Sequence, residues 1–147
     1  MKVHCCLGTG GLVVLMMAVP VFADHIAPNP QDWAGKPLEG DGECVTFVKR
    51  AAGITASTKD WKAGVAVKGA NPKVGTAIAT FIDGKYNGHA AIYLGQNAEG
   101  IQVVDQWAER KDGKGKVLRP AQPPHTRTIK WNGKGISNDG MLFHVIQ

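Results

Sequence analysis

One stretch constrains this chain more than any other: Gly40-Asp41-Gly42-Glu43-Cys44-Val45-Thr46-Phe47-Val48-Lys49-Arg50-Ala51-Ala52-Gly53. Two glycines and two acids precede a cysteine that opens an amphipathic run. Val45, Val48 and Ala52 fall at i, i+3 and i+7, which predicts one face of a helix. Gly53 stands where a helix ends in a left-handed residue. Cys44 is therefore expected at a helix N-terminus, where free N–H groups and the macrodipole favour a thiolate. The alternative reading of such a residue is a small buried apolar side chain.

The other cysteines sharpen that choice. Residues 1–23 read as a signal peptide: Lys2 is the only charge before Asp24, an apolar run extends from about Gly11 to Val19, and Val21-Phe22-Ala23 fits a cleavage site. The run is too short to remain as a transmembrane anchor. Cys5 and Cys6 leave with it, so Cys44 is the one cysteine of the mature chain, in a compartment that favours disulfides. A leftover cysteine there indicates an intermolecular bridge or a reactive thiol.

Cleavage leaves 124 of the 147 residues, enough for one compact domain. Sixteen basic residues then face twelve acidic ones, a net charge of +4 spread along the chain. No Lys/Arg cluster or base-reading motif is present, so no nucleic-acid partner is expected. A basic exported protein is instead drawn to anionic envelope polymers or lipid surfaces.

Residues 24–39, with Pro28, Pro30 and Pro37, read as an irregular lead-in anchored by Trp33, and residues 40–147 as a single domain. Lys59 to Lys68 reads as a short turn or helix around Trp61. Gly75–Ile82, His89–Gly95 and Ile101–Trp107 read as strands of an antiparallel meander, with Asp83–Gly88 and Gln96–Gly100 as connections. Ala108–Gly115 reads as a loop. Val117–Arg119 and Thr126–Trp131 are further strand candidates around a Pro120/Pro123/Pro124 break, and Met141–Ile146 closes the chain. The expected fold is α+β: a Cys-bearing helix packed on an antiparallel sheet of about four to six strands.

A thiol nucleophile needs a base, and the base needs an orienting group. A hairpin closing around Gln96–Gly100 sets His89 opposite Asp105 on one face. Gln106 then points the other way, and a one-residue slip would exchange the two, which keeps Gln106 as the reserve third residue. His25, His125 and His144 are weaker candidates: the first follows the cleavage site, the second follows Pro-Pro, and the third lies in an apolar strand. No C-x-x-C or H-x-x-x-H spacing suggests a zinc site, and no metal or other cofactor is expected. Trp61, Tyr93 and Trp107 are candidate cleft walls.

Gly42-Glu43-Cys44-Val45 opening a helix, Gly88-His89-Ala90-Ala91-Ile92-Tyr93 on a strand and Asp105 on the next together resemble the CHAP and NlpC-type cell-wall amidases. These are papain-like cysteine hydrolases in which the Cys helix precedes the His sheet. The blocks GECVTFVK, GTAIATF, HAAIYLGQ and DQW are similar to those of a small group of secreted CHAP-like bacterial proteins regarded as peptidoglycan amidases. The similarity spans about residues 38–147. It implies Cys44 as nucleophile, His89 as base and Asp105 as orienting acid. It also implies peptidoglycan stem peptides as substrate, allows a cognate inhibitor protein as partner, and places the protein in the periplasm or outside the cell. Gly75-Thr76 stands where many CHAP relatives carry Gly-Asp. The side chain that often completes their oxyanion hole has no clear counterpart, so the Cys44 N–H is the one donor assigned. Two other functions fit the same scaffold: a non-catalytic envelope-binding module, and acyl transfer or deamidation of a protein target.

Protein recovered from the envelope or medium is expected to begin at Asp24 on N-terminal sequencing. Recovery of the chain with Met1 intact in the cytoplasm would overturn the signal-peptide reading.

Overall fold

A computed structural model describes residues 25–147, so the expected signal peptide, residues 1–23, lies outside the described residues. Among the described residues one α-helix, α1 (Cys44–Ala52), precedes eight strands: β1 (Ala63–Ala66), β2 (Ala77–Ile82), β3 (Lys85–Gln96), β4 (Gly100–Trp107), β5 (Arg110–Lys111), β6 (Val117–Arg119), β7 (Gln122–Lys130) and β8 (Phe143–Ile146). Six form one antiparallel sheet in the order β1-β8-β2-β3-β4-β7, and β5 and β6 form a separate two-stranded ribbon. The α+β expectation holds, with the helix on one face of the sheet. No helix among the described residues is long and apolar enough to cross a membrane.

The sheet buries both faces. Ala77, Ala79, Phe81, Ala90, Ile92 and Val104 pack with Phe47, Val48 and Ala51 of α1. Ile78, Ala91, Tyr93, Ile101, Val103, Ile129 and Phe143 form a second core behind it. Alanines at 77, 79 and 90 keep the helix side of the central strands shallow enough for α1 to lie close. Burying Phe47 and Val48 there contributes roughly 1.5–3 kcal/mol each. The buried stripe of α1 is Cys44, Phe47, Val48 and Ala51 rather than Val45, Val48 and Ala52. Both sets have helical spacing, and packing against the sheet selects the second. Cys44 thus heads the core-facing stripe, and Gly53 ends the helix at φ 68° as expected.

Several connections differ from the sequence reading. Asp83 and Gly84, both at positive φ, make a two-residue turn, so β3 starts at Lys85 and Tyr86-Asn87-Gly88 belong to a strand. β1 occupies part of the segment read as a turn or helix around Trp61; its Ala-Gly-Val-Ala sequence carries no alternation to reveal it. β7 runs through Pro123-Pro124, which is tolerated because it is an edge strand. Part of the predicted 108–115 loop is β5. Trp33 does anchor the lead-in, meeting Phe47 edge-on at 5.7 Å.

Two irregularities set the site. Between Ala79↔Ala90 and Phe81↔Tyr86, β2 advances two residues while β3 advances four. Gly88 occupies this bulge at φ 108°, where a Cβ would strike Ile136. The buried Thr80 hydroxyl donates to the Asn87 carbonyl and accepts from the His89 N–H at 2.9 Å, fixing the backbone on both sides. On the other face of β4, the fully buried Gln106 accepts from the Glu39 N–H at 2.9 Å and donates to the carbonyls of Glu39 (2.9 Å) and Glu43 (3.1 Å). It clamps the turn that delivers Cys44, in which Gly40 and Gly42 both have positive φ.

Gln106→Ala strips three hydrogen bonds from this turn and leaves a buried N–H unpaired. A loss of about 1–3 kcal/mol is expected in a denaturant melt; an unchanged midpoint would show that the turn stands without the clamp.

Candidate active site

Cys44 is the first residue of α1 and is 7% exposed. His89, the Ala90 N–H and the Tyr86 hydroxyl surround its sulfur, the last at 3.8 Å. Burial pushes the thiol pKa up. The hydrogen bond and charge of His89 oppose it, helped by Ala90 N–H and Tyr86, and the net shift is downward. The helix N-terminus acts in the same direction.

His89 Nε2 lies 2.6 Å from Asp105 Oδ2. That contact leaves Nδ1 as the ring nitrogen for Cys44. Burial would depress the imidazole, but the hydrogen bonds to Asp105 and Cys44 and their charges raise it to about 9. The directions of the two shifts agree: both favour the proton on the ring and the charge on sulfur.

The pairing of β3 with β4 is not the one predicted. Ile92 faces Val104 and Tyr93 faces Val103, two residues displaced from the register that sets His89 directly opposite Asp105. A two-residue shift preserves the face, so His89 and Asp105 meet as diagonal neighbours. A one-residue shift would have put Gln106 there instead. Gln106 faces α1 and contacts neither His89 nor Cys44 by hydrogen bond.

Asp105 is fully buried and has a second cation that the sequence did not reveal. Arg127 Nε and Nη2 both approach Oδ2 at 2.8 Å. The guanidinium is held from behind by Asn138 Oδ1, which accepts from Nη1 at 2.9 Å. Oδ1 has no hydrogen-bond partner among the described residues; His125 Nε2, at 3.8 Å, is too far to donate. β4 and β7 pair with Asp105 opposite His125 and Val103 opposite Arg127, so Arg127 is the diagonal neighbour of Asp105. The pattern Thr126-Arg127-Thr128-Ile129 was legible as a strand, but its partner and register were not. Tyr86 was missed because its segment reads as a connection.

The remaining candidates sort clearly. His144 contacts the Gly64 carbonyl at 3.0 Å on β8, and the His25 backbone carbonyl accepts from the Ala77 N–H, so neither joins the cluster. Trp61 and Tyr93 are core residues. Trp107 borders a cavity of about 160 Å³ with His89, Arg119, Arg127, Ser137 and Asn138. A wider hollow of about 420 Å³ opens beside Tyr86, Thr58, Lys59 and Lys85. Among the described residues no group of three or more His, Cys, Asp or Glu side chains is placed to hold a metal.

A helix-borne cysteine packed on an antiparallel sheet carrying a buried His–Asp pair has the architecture of the papain-like cysteine hydrolases. Its backbone matches the solved structure of Type 6 secretion amidase effector 2 (Tae2) with a TM-score of 0.68 and 28% identity, over 84% of this chain and 94% of that one. Residues 15–146 match the family model described as domesticated amidase effector 2, and the chain belongs to that family. It is 35% identical over 150 residues to Domesticated amidase effector 2 of Ixodes scapularis, covering 95% of both chains. It is 33% identical over 114 residues to the Type VI secretion amidase effector 2 protein of Salmonella typhi, covering 71% of this chain and 84% of that one. The protein is therefore a cysteine amidase. The resemblance to CHAP and NlpC-type enzymes holds at the level of papain-like cysteine amidases, and the family is this one.

Alkylation of Cys44 by iodoacetamide is expected to have its midpoint below the ~8.5 of a free thiol. His89→Ala removes the largest lowering influence and leaves the burial, so the midpoint should move up. A midpoint indifferent to His89 would show that thiol and ring do not interact.

Proposed function

We propose that the protein is exported, with 1–23 removed, and that its 40–147 domain hydrolyses peptide amide bonds of bacterial peptidoglycan through Cys44, His89 and Asp105. The observation that carries the catalytic assignment is the continuous line from thiol to imidazole to carboxylate. Asp105 fixes the tautomer and orientation of the ring, and Nδ1 is left for sulfur. The description of the relatives as amidase effectors, the basic charge of the chain and the signal-like N-terminus support an envelope substrate.

In this reading the Cys44 thiolate attacks the amide carbonyl carbon, forming a C–S bond and moving the carbonyl electron pair onto oxygen. The protonated His89 gives its Nδ1 proton to the amine nitrogen as the C–N bond breaks, leaving a thioester. Water then attacks with His89 taking its proton, the C–S bond breaks, and the thiolate returns. Asp105 steadies the imidazolium without exchanging the proton. If the producing cell carries the same wall polymer, a protein inhibitor covering Cys44 is the expected safeguard.

Purified protein lacking residues 1–23 is expected to release peptide fragments from peptidoglycan, identified by mass. Cys44→Ala should abolish release with a melt near wild type. His89→Ala should cost nearly as much, and Asp105→Ala less, because it acts through the ring. The three losses should not add, since members of one catalytic unit fail together. Full activity in Cys44→Ala would remove the hydrolase reading and leave the binding module in its place.

A further inference from the structure

The oxyanion formed in an acyl transfer needs donors aimed at the position where charge develops. One is available from the backbone: Cys44 stands at the first helical position, where an N–H has no partner within the helix. The sequence offered no second donor, and the structure does. Tyr86 lies just after the Asp83-Gly84 turn, on the same side of β3 as α1, with its hydroxyl 3.8 Å from Cys44 Sγ. That hydroxyl has no other hydrogen-bond partner among the described residues. Trp61, itself buried, meets the Tyr86 ring edge-on at 5.2 Å and fixes its orientation. Tyr86 also borders the hollow of about 420 Å³. Burial, then the charge of Cys44, pushes the phenol well above its ordinary pKa, so the group remains an O–H donor across the working range.

We infer that Tyr86 is a catalytic residue of this amidase: its O–H is the side-chain donor of the oxyanion hole, acting with the Cys44 N–H. The inference rests on the proposed role of Cys44. In the resting enzyme the hydroxyl faces the thiolate. When sulfur bonds to the carbonyl carbon, sulfur loses its negative charge and the carbonyl oxygen gains it. A hydroxyl that rotates about its C–O bond can follow the charge from one atom to the other. Collapse of the intermediate returns the electron pair to the C=O bond while His89 protonates the departing nitrogen. Tyr86 donates a hydrogen bond throughout and transfers no proton. The position also assigns direction: His89 serves the leaving amine, so the amine half of the substrate lies toward Trp107, and the acyl oxygen turns toward Tyr86.

Tyr86→Phe tests this, because it keeps the ring against Trp61 and removes only the donor. For peptidoglycan fragment release kcat should fall on the order of 10²-fold with KM little changed. Affinity for a short peptide aldehyde, which forms a hemithioacetal with Cys44, should fall by a similar factor, read as lost protection against alkylation. The plateau rate of iodoacetamide alkylation should stay close to wild type, because that displacement develops no oxyanion. A fall in alkylation equal to the fall in hydrolysis would show that Tyr86 acts on the thiol alone. Undiminished aldehyde affinity would also overturn the inference, and this arm stands even if the wild type releases nothing from peptidoglycan. In that case it is the substrate reading that fails, not the donor.

Discussion

The site depends on a carboxylate with no access to water. Asp105 is completely buried on β4, and its Oδ2 takes the His89 imidazole and both near nitrogens of Arg127 within 2.8 Å. An isolated buried carboxylate would cost several kcal/mol in lost hydration, and only close cations with good geometry offset that. Two cations therefore converge on one oxygen, and each comes from a neighbouring strand, β3 or β7. The order β3-β4-β7 brings them to the same point. Arg127 is anchored in turn by Asn138, so the carboxylate that holds the imidazole is itself held.

Adjacent residues of β4 do opposite jobs, and the pleat makes this possible. Asp105 reaches His89 on one face, while Gln106 reaches the turn before Cys44 on the other. One strand thus fixes both the imidazole and the loop that delivers the thiol. Thr80 on β2 adds the third constraint by holding the backbone around the Gly88 bulge.

Much of this was legible because hydrophobic period and turn chemistry are local. Gly53 as helix end, the three meander strands and the shared face of His89 and Asp105 all follow from spacing. The buried stripe of α1 was misread by one residue, because Val45/Val48/Ala52 and Cys44/Phe47/Val48/Ala51 are both helical and only the sheet decides between them. The hairpin register was misread by two: the strands pair as Gln96↔Ile101 beside the turn and, past a one-residue shift between Tyr93 and Gly95, as Tyr93↔Val103. The error was harmless to the face and would not have been at one residue. Arg127 and Tyr86 stayed hidden for a different reason. Arg127 reaches Asp105 from β7, which pairs with β4 across the β5–β6 ribbon, and Tyr86 reaches Cys44 on α1 from a segment that reads as a connection; nothing in either neighbourhood points to those partners.

The charges of the cluster alternate along its length: thiolate at Cys44, imidazolium at His89, carboxylate at Asp105, guanidinium at Arg127. Moving the proton from sulfur to ring creates two charges but changes the net charge by nothing, and each new charge lies beside an opposite one. This is how a largely buried thiol can ionise despite the desolvation that opposes it. The pH consequences follow with their signs. His89, raised from 6.5 to about 9, adds stability that is complete below about 6.5 and is lost as pH climbs through about 9. Cys44, lowered, adds stability that is present above its ordinary range and is lost as pH falls through its folded value. Both shifts favour the state in which the pair holds both charges. In the proposed reaction, attack on a carbonyl shifts one negative charge from sulfur to oxygen without leaving the imidazolium unpaired, so the alternation survives the chemical step.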